Sequence, residues 1–153
     1  MKKFELTSEF ITNIFGTKLF RIKALIEFGN VKAGELGGFV EKEENLNHEG
    51  NAWVYGDAEV CGNARVYGDA EVCGNARVYG NDDFATVHGF GSEHRTTTFF
   101  RLKDGNIGVR CGCFYGNLSE FSKKVVETHG ETKKAKEYLM IADLMEFRFS
   151  DNS

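Results

Sequence analysis

The stretch GNAWVYGDAEVCGNARVYGDAEVCGNARVYGN, Gly50 to Asn81, carries two periods at once. Its framework repeats every six residues as Gly-Asn/Asp-Ala-x-Val-x, while the side chains between alternate every twelve. Asp57, Asn63, Asp69 and Asn75 take turns, as do Glu59, Arg65, Glu71 and Arg77, and Cys61, Tyr67, Cys73 and Tyr79. Val54, Val60, Val66, Val72 and Val78 recur six apart, and so do Ala52, Ala58, Ala64, Ala70 and Ala76. Neither a helix nor a long alternating strand has this period. Short strands with Val and Ala turned inward satisfy it, with Gly-Asn or Gly-Asp making the turns between them. Those residue types tolerate unusual backbone angles, and the Asn and Asp side chains can bond nearby backbone groups. Stacked turns of this kind share backbone hydrogen bonds and one continuous core.

The repeat resembles the hexapeptide left-handed parallel β-helix of hexapeptide acyltransferases, whose coils hold three hexads, or about eighteen residues. The resemblance implies a mainly β fold: a short left-handed parallel β-helix of about three coils, at 36–53, 54–71 and 72–89. An eighteen-residue coil exchanges the two twelve-residue phases from row to row. Glu59 is then expected over Arg77, Trp53 over Glu71, Tyr55 against Cys73, and Cys61 against Tyr79. Leu36 and Val40 fall on the inward phase of the first coil, Leu46 on the alanine position and His48 on the aliphatic position, with Lys42 as a corner irregularity.

ALIEFGNVKAGELGGFVEKEENLNHEGNAWVYG, Ala24 to Gly56, also resembles a leader that precedes β-solenoid repeats in phage and prophage proteins. Together with the repeat it covers about residues 18–85 and implies phage association, without implying a reaction.

Around the repeat, three units are expected: an N-terminal capping segment at 1–35, the solenoid at 36–89, and a small ββαα unit at 90–153. In KLFRIKALIEF, residues 18–28, Phe20, Ile22, Ala24 and Ile26 alternate as one face of a strand. RTTTFFRLKDGNIGVRCGCF, residues 95–114, places two strand-like runs around Asp104-Gly105, a hairpin signal. Asn117-Leu-Ser-Glu120 reads as a capping box opening a helix over 118–128, which His129-Gly130 ends. A second helix is expected over 132–147, with Ala135, Tyr138, Leu139, Ala142 and Met145 on its apolar face, and Phe147 and Phe149 in a final strand.

Composition narrows function further. The chain has 153 residues and a formal net charge of -4. Residues 1–89 hold nine Lys/Arg against fourteen Asp/Glu, and residues 90–153 hold ten against nine. No basic footprint for nucleic acid stands out. No stretch approaches the roughly 20 apolar residues that span a bilayer, so no membrane partner is expected. The expected address is the cytoplasm, of a phage-infected host cell where the phage resemblance holds. Cys61, Cys73, Cys111 and Cys113 form neither a C-x-x-C motif nor a zinc spacing, and no cofactor or metal is implied.

The expected function is a phage-associated protein-interaction module, either an assembly protein or an inhibitor of a host factor acting by surface binding. Trp53, Tyr55, Tyr67 and Tyr79 supply amphipathic anchors, and Glu59, Arg65, Glu71 and Arg77 a charged stripe beside them. A homo-oligomer is expected, with a host or viral protein as further partner. The alternatives are a CoA-dependent acyltransferase with a site between subunits, as the hexapeptide resemblance implies, and small-ligand sequestration. No catalytic residue is assigned; His48 and His88 are the candidates for the histidine base of the transferase reading. His94 and His129 read as structural.

Overall fold

The computed structural model describes residues 2–91, 93 and 95–150. Its strands divide among three sheets. The N-terminal segment forms a hairpin of β1 (Phe4–Thr12) and β2 (Lys18–Ala24), and β2 pairs antiparallel with β3 (Leu36–Val40). β3 continues the same sheet in parallel to β5 (Glu59–Val60), and β5 to β7 (Arg77–Val78). The five-stranded sheet therefore has the order β1-β2-β3-β5-β7. β4 (Trp53–Val54) and β6 (Glu71–Val72) make a separate two-stranded parallel sheet. β8 (Phe84–Phe90), β9 (Arg95–Arg101), β10 (Ile107–Cys111) and β11 (Phe114–Asn117) form a four-stranded antiparallel sheet in the order β11-β10-β9-β8. Helices α1 (Leu118–His129) and α2 (Lys133–Arg148) follow it.

This architecture corrects the expected fold class. The chain is a mixed structure of three sheets and a C-terminal helix pair, and not a left-handed parallel β-helix of three coils. The hexapeptide-repeat solenoid is overturned, and with it the resemblance to phage-associated β-solenoid proteins and to hexapeptide acyltransferases. The physical reason lies at both ends of the repeat. β3, assigned to a first coil, is held on one side by the antiparallel β2, and β8, assigned to a last coil, leaves the repeat to pair antiparallel with β9. Between them each parallel strand is two residues long. The extended ladders of the molecule are thus the antiparallel ones at its two ends.

The local register of the repeat does follow its period. Trp53 pairs with Glu71 and Glu59 with Arg77, eighteen residues on. Backbone N–H groups of Trp53, Tyr55, Glu59 and Cys61 donate to the carbonyls of Ala70, Val72, Ala76 and Val78 at 2.9–3.1 Å. The valines and alanines turn inward: all five repeat valines are 0% exposed and no repeat alanine exceeds 2%. At roughly 25 cal/mol per Å² of apolar area removed from water, this spine is a main source of the unit's stability.

The first row breaks the period. Phe39 pairs with Glu59, Val40 with Val60 and Leu46 with Val66, twenty residues on. Leu46 therefore takes the aliphatic position, and His48 lies outside the stacked spine. Leu36, expected inside, is 54% exposed.

A second core sits under the helices. Phe99 and Val109 of the four-stranded sheet meet Phe121 and Val125 of α1 and Ala135, Tyr138, Ile141 and Met145 of α2. Both bonds of the expected capping box form: Glu120 N–H donates to Asn117 Oδ1 at 2.8 Å, and Asn117 N–H donates to Glu120 Oε1 at 2.9 Å. The ββαα expectation is enlarged by β8 and β11, and no final strand follows α2 among the described residues. Phe149 caps α2 and is buried, whereas Phe147 remains on the helix and is exposed.

Candidate interaction surface

The repeat and the C-terminal unit meet through Phe100, buried in the repeat's core, and along polar and backbone contacts. Arg110 pairs with Glu71 at 3.1 Å, Thr98 Oγ1 accepts from Glu71 N–H at 3.1 Å, and Lys103 N–H donates to the Asn75 carbonyl at 3.0 Å. These contacts consume part of the expected binding stripe. Trp53 is inside, 2% exposed, with Phe28 edge-on at 5.2 Å, and its indole N–H is buried without an acceptor among the described residues. Tyr55 is half-buried beside Cys73, and burial, followed by its hydrogen bond with Cys73, pushes its hydroxyl well above the ordinary phenol range. Glu59 is 8% exposed and pairs with Arg77 at 3.3 Å. The Tyr79 hydroxyl donates to Glu59 at 3.3 Å, its ring meets Phe15 edge-on at 5.3 Å, and burial pushes it up to about 12.

Arg65 and Tyr67 stand apart from this network. Tyr67 is 55% exposed. Both face a groove of about 1100 Å³, which the structure completes with Phe84 of β8 and with Leu144, Phe147 and Arg148 of α2. Among the described residues, neither Arg65 nor Arg148 has a charged partner. The rest of the outer face of α2 is unusually apolar. Met140, Leu144 and Phe147, spaced i, i+4 and i+7, lie on one side of the helix opposite its buried face, at 71%, 56% and 76% exposure.

That outer stripe escaped the sequence reading because the inner stripe of α2 explains its helical period without it. The signal was present as a second set of apolar residues at helical spacing. A helix that is apolar on two sides either is enclosed or has a partner.

The three described histidines do not converge on one site. His48 Nδ1 accepts the Lys3 backbone N–H at 3.0 Å, so its proton sits on Nε2, which donates to Glu43 at 2.7 Å. Its ring stacks on Phe4 at 4.4 Å. Both nitrogens are thus engaged in fastening the N-terminus. Glu43, close to Lys2 and then to His48, is held below the usual carboxylate range. His88 is exposed and bonds Thr96 at 2.8 Å, at the edge of a polar cleft of about 620 Å³ that also holds Asp69, Glu71, Arg95, Arg110 and Cys113. Glu71 and Arg110 pair with each other there, and Arg95 pairs with Glu93. His129 ends α1 and stacks on Tyr138 at 6.3 Å; His94 lies outside the described residues.

Burial pushes the Cys61 thiol up to about 11 and raises Cys73 as well, which keeps both protonated and unreactive at neutral pH. No cluster of His, Cys, Asp and Glu suited to a metal occurs among the described residues. No helix among them is long and apolar enough to cross a membrane. Compared with known families and curated proteins, the sequence matches no family model and no curated protein.

Proposed function

We propose that this chain is a protein-interaction module that works by surface contact, self-association included, with the outer face of α2 and the groove beside it as its contact surface. The observation that carries the reading is the exposed row Met140, Leu144 and Phe147 on a helix whose opposite face is already fully employed in the core. Fully covering a Leu or Phe side chain is worth about 1.5–3 kcal/mol, so the row holds a substantial unspent driving force for association. Tyr67 across the groove supplies a rigid amphipathic anchor, and Arg65 and Arg148 two guanidiniums available to a partner's carboxylates.

The acyltransferase alternative has less support. His48 has no nitrogen left to act as a base, and the fold resemblance that suggested transfer chemistry does not hold. The phage association rested on the likeness of the Ala24–Gly56 leader to phage β-solenoid proteins, which falls with the solenoid, and forms no part of this proposal.

Site-specific photo-crosslinking tests the reading. A benzophenone side chain is placed at Tyr67, at Phe147 and, as a control outside the groove, at Lys32, in cells that make the protein. Adducts to one discrete protein segment from both groove positions, and none from Lys32, are expected. No discrete adduct from the groove, or equal labelling from all three positions, overturns the proposal.

A further inference from the structure

Given that the outer face of α2 is a contact surface, we infer that its occupant is a second copy of the chain, with the two α2 helices packed antiparallel about a two-fold axis near residue 141. The charges bordering the apolar row point to this occupant. Lys136 and Asp143, seven residues apart, run along one border, and Glu137 and Arg148, eleven apart, run along the other. Each border therefore carries a cation and an anion on opposite sides of that axis.

A two-fold antiparallel pair sets each border against the same border of the second copy, in reversed direction. Lys136 then approaches the partner's Asp143, and Glu137 approaches the partner's Arg148, with each contact made twice. Arg148, without a charged partner among the described residues, gains one. Both Lys136 and Asp143 are exposed, so neither must break a buried contact to form the pair.

Lys133 decides the direction. It lies on the apolar row, seven residues before Met140. Parallel packing would bring Lys133 against the partner's Lys133. Antiparallel packing carries it instead toward the C-terminal end of the partner helix, where the macrodipole favours a cation, and opposes the two macrodipoles. The seam itself sets Met140 and Leu144 against the partner's Leu144 and Met140, with Phe147 covering the end of the contact.

The measurement is sedimentation equilibrium across a concentration series, with circular dichroism on each variant. The wild-type chain, 17.2 kDa, is expected to reach the dimer mass with a Kd on the order of micromolar, as suits a small helix-pair contact. Leu144→Glu, at an exposed position, should leave the spectrum unchanged and abolish the dimer. Lys136→Glu and Asp143→Lys should each weaken it about tenfold. The double variant Lys136→Glu/Asp143→Lys should recover most of that loss, because it exchanges the signs of one contact and retains its attraction. A wild-type monomer at every concentration, a dimer indifferent to Leu144→Glu, or a double variant no better than its parents overturns the inference. A monomer that still gives a discrete foreign adduct from Phe147 sinks self-pairing alone; a monomer without any groove adduct sinks the interaction reading as well.

Discussion

Glu59 and Arg77 stand opposite each other across a parallel ladder, with Arg77 Nε 3.3 Å from Glu59 Oε2 and both side chains largely screened from water. The twelve-residue alternation puts an acid over a base at an eighteen-residue offset, and the closely packed rows on either side remove most of the solvent. Arg77 also donates to the Asp57 carbonyl at 2.9 Å, tying the rows together beyond the charge pair. Truncating one partner strands the other. Arg77→Ala should cost about 3 kcal/mol in urea unfolding, and Glu59→Leu/Arg77→Leu less than either single leucine change. Additive single losses would show that the pair is not coupled.

Gly62 and Gly68 occupy the same place in successive hexads, and both have positive φ, at 64° and 67°. A methyl group on Gly62 would strike the carbonyl oxygen of Tyr79 in the next row, whereas one on Gly68 would meet nothing within 4 Å. Gly68→Ala should therefore cost about 1 kcal/mol for backbone strain alone, and Gly62→Ala about 2–3 kcal/mol. Equal losses in chemical denaturation would mean that the row above Gly62 yields freely.

These contacts also mark where the sequence was readable. A strict six-residue period identifies the buried valines and alanines, since only one phase can face the core. The pairings Trp53 with Glu71 and Glu59 with Arg77 follow from counting eighteen residues. The count fails in the first row, where seven steps from Leu46 to Trp53 stand beside five from Val66 to Glu71. No residue type announces those two extra positions. The architecture was misjudged for a related reason: Phe84 and His88 fit the repeat phase only loosely, the same stretch also suits an antiparallel strand, and its partner β9 decides between them. At the candidate surface, Arg65 and Tyr67 were legible as residue types, but α2's position across the groove was not. Trp53 was legible as an anchor and is one, for the interior.

Lys3 is the most deeply buried cation among the described residues, 1% exposed. Its ammonium donates to the carbonyls of Ala52 at 2.7 Å and Gly50 at 3.3 Å and sits 4.7 Å from the centre of the Phe28 ring. Burial lowers its pKa from the ordinary 10.5 to about 8. The folded chain thus releases this proton before the unfolded chain does. Between about pH 8 and 10.5 unfolding takes up a proton at Lys3, and this group's contribution to stability rises with pH. Other buried groups titrate nearby, so the comparison is with Lys3→Met. The Tm difference should move in favour of the wild type by on the order of 5 °C across that window. A constant difference, or a drift the other way, would place the ammonium in a wetter environment than its neighbours indicate.

The four thiols differ in access as well as in protonation. Cys61 and Cys73 are buried, with their thiols raised by burial, whereas Cys111 is half-buried and Cys113 exposed at the turn between β10 and β11. Thr97 Oγ1 donates to Cys111 Sγ at 3.2 Å, which further ties Cys111 to the sheet. Alkylation needs both a thiolate and a path to it. Iodoacetamide at pH 8 should modify Cys113 first and Cys111 more slowly, leaving Cys61 and Cys73 untouched until denaturant is added. Peptide mapping over time resolves the order. Early modification of Cys61 or Cys73 in the folded protein would require the stacked rows to open locally, and protection of both to the end of the series would mark the repeat as the most cooperative part of the molecule.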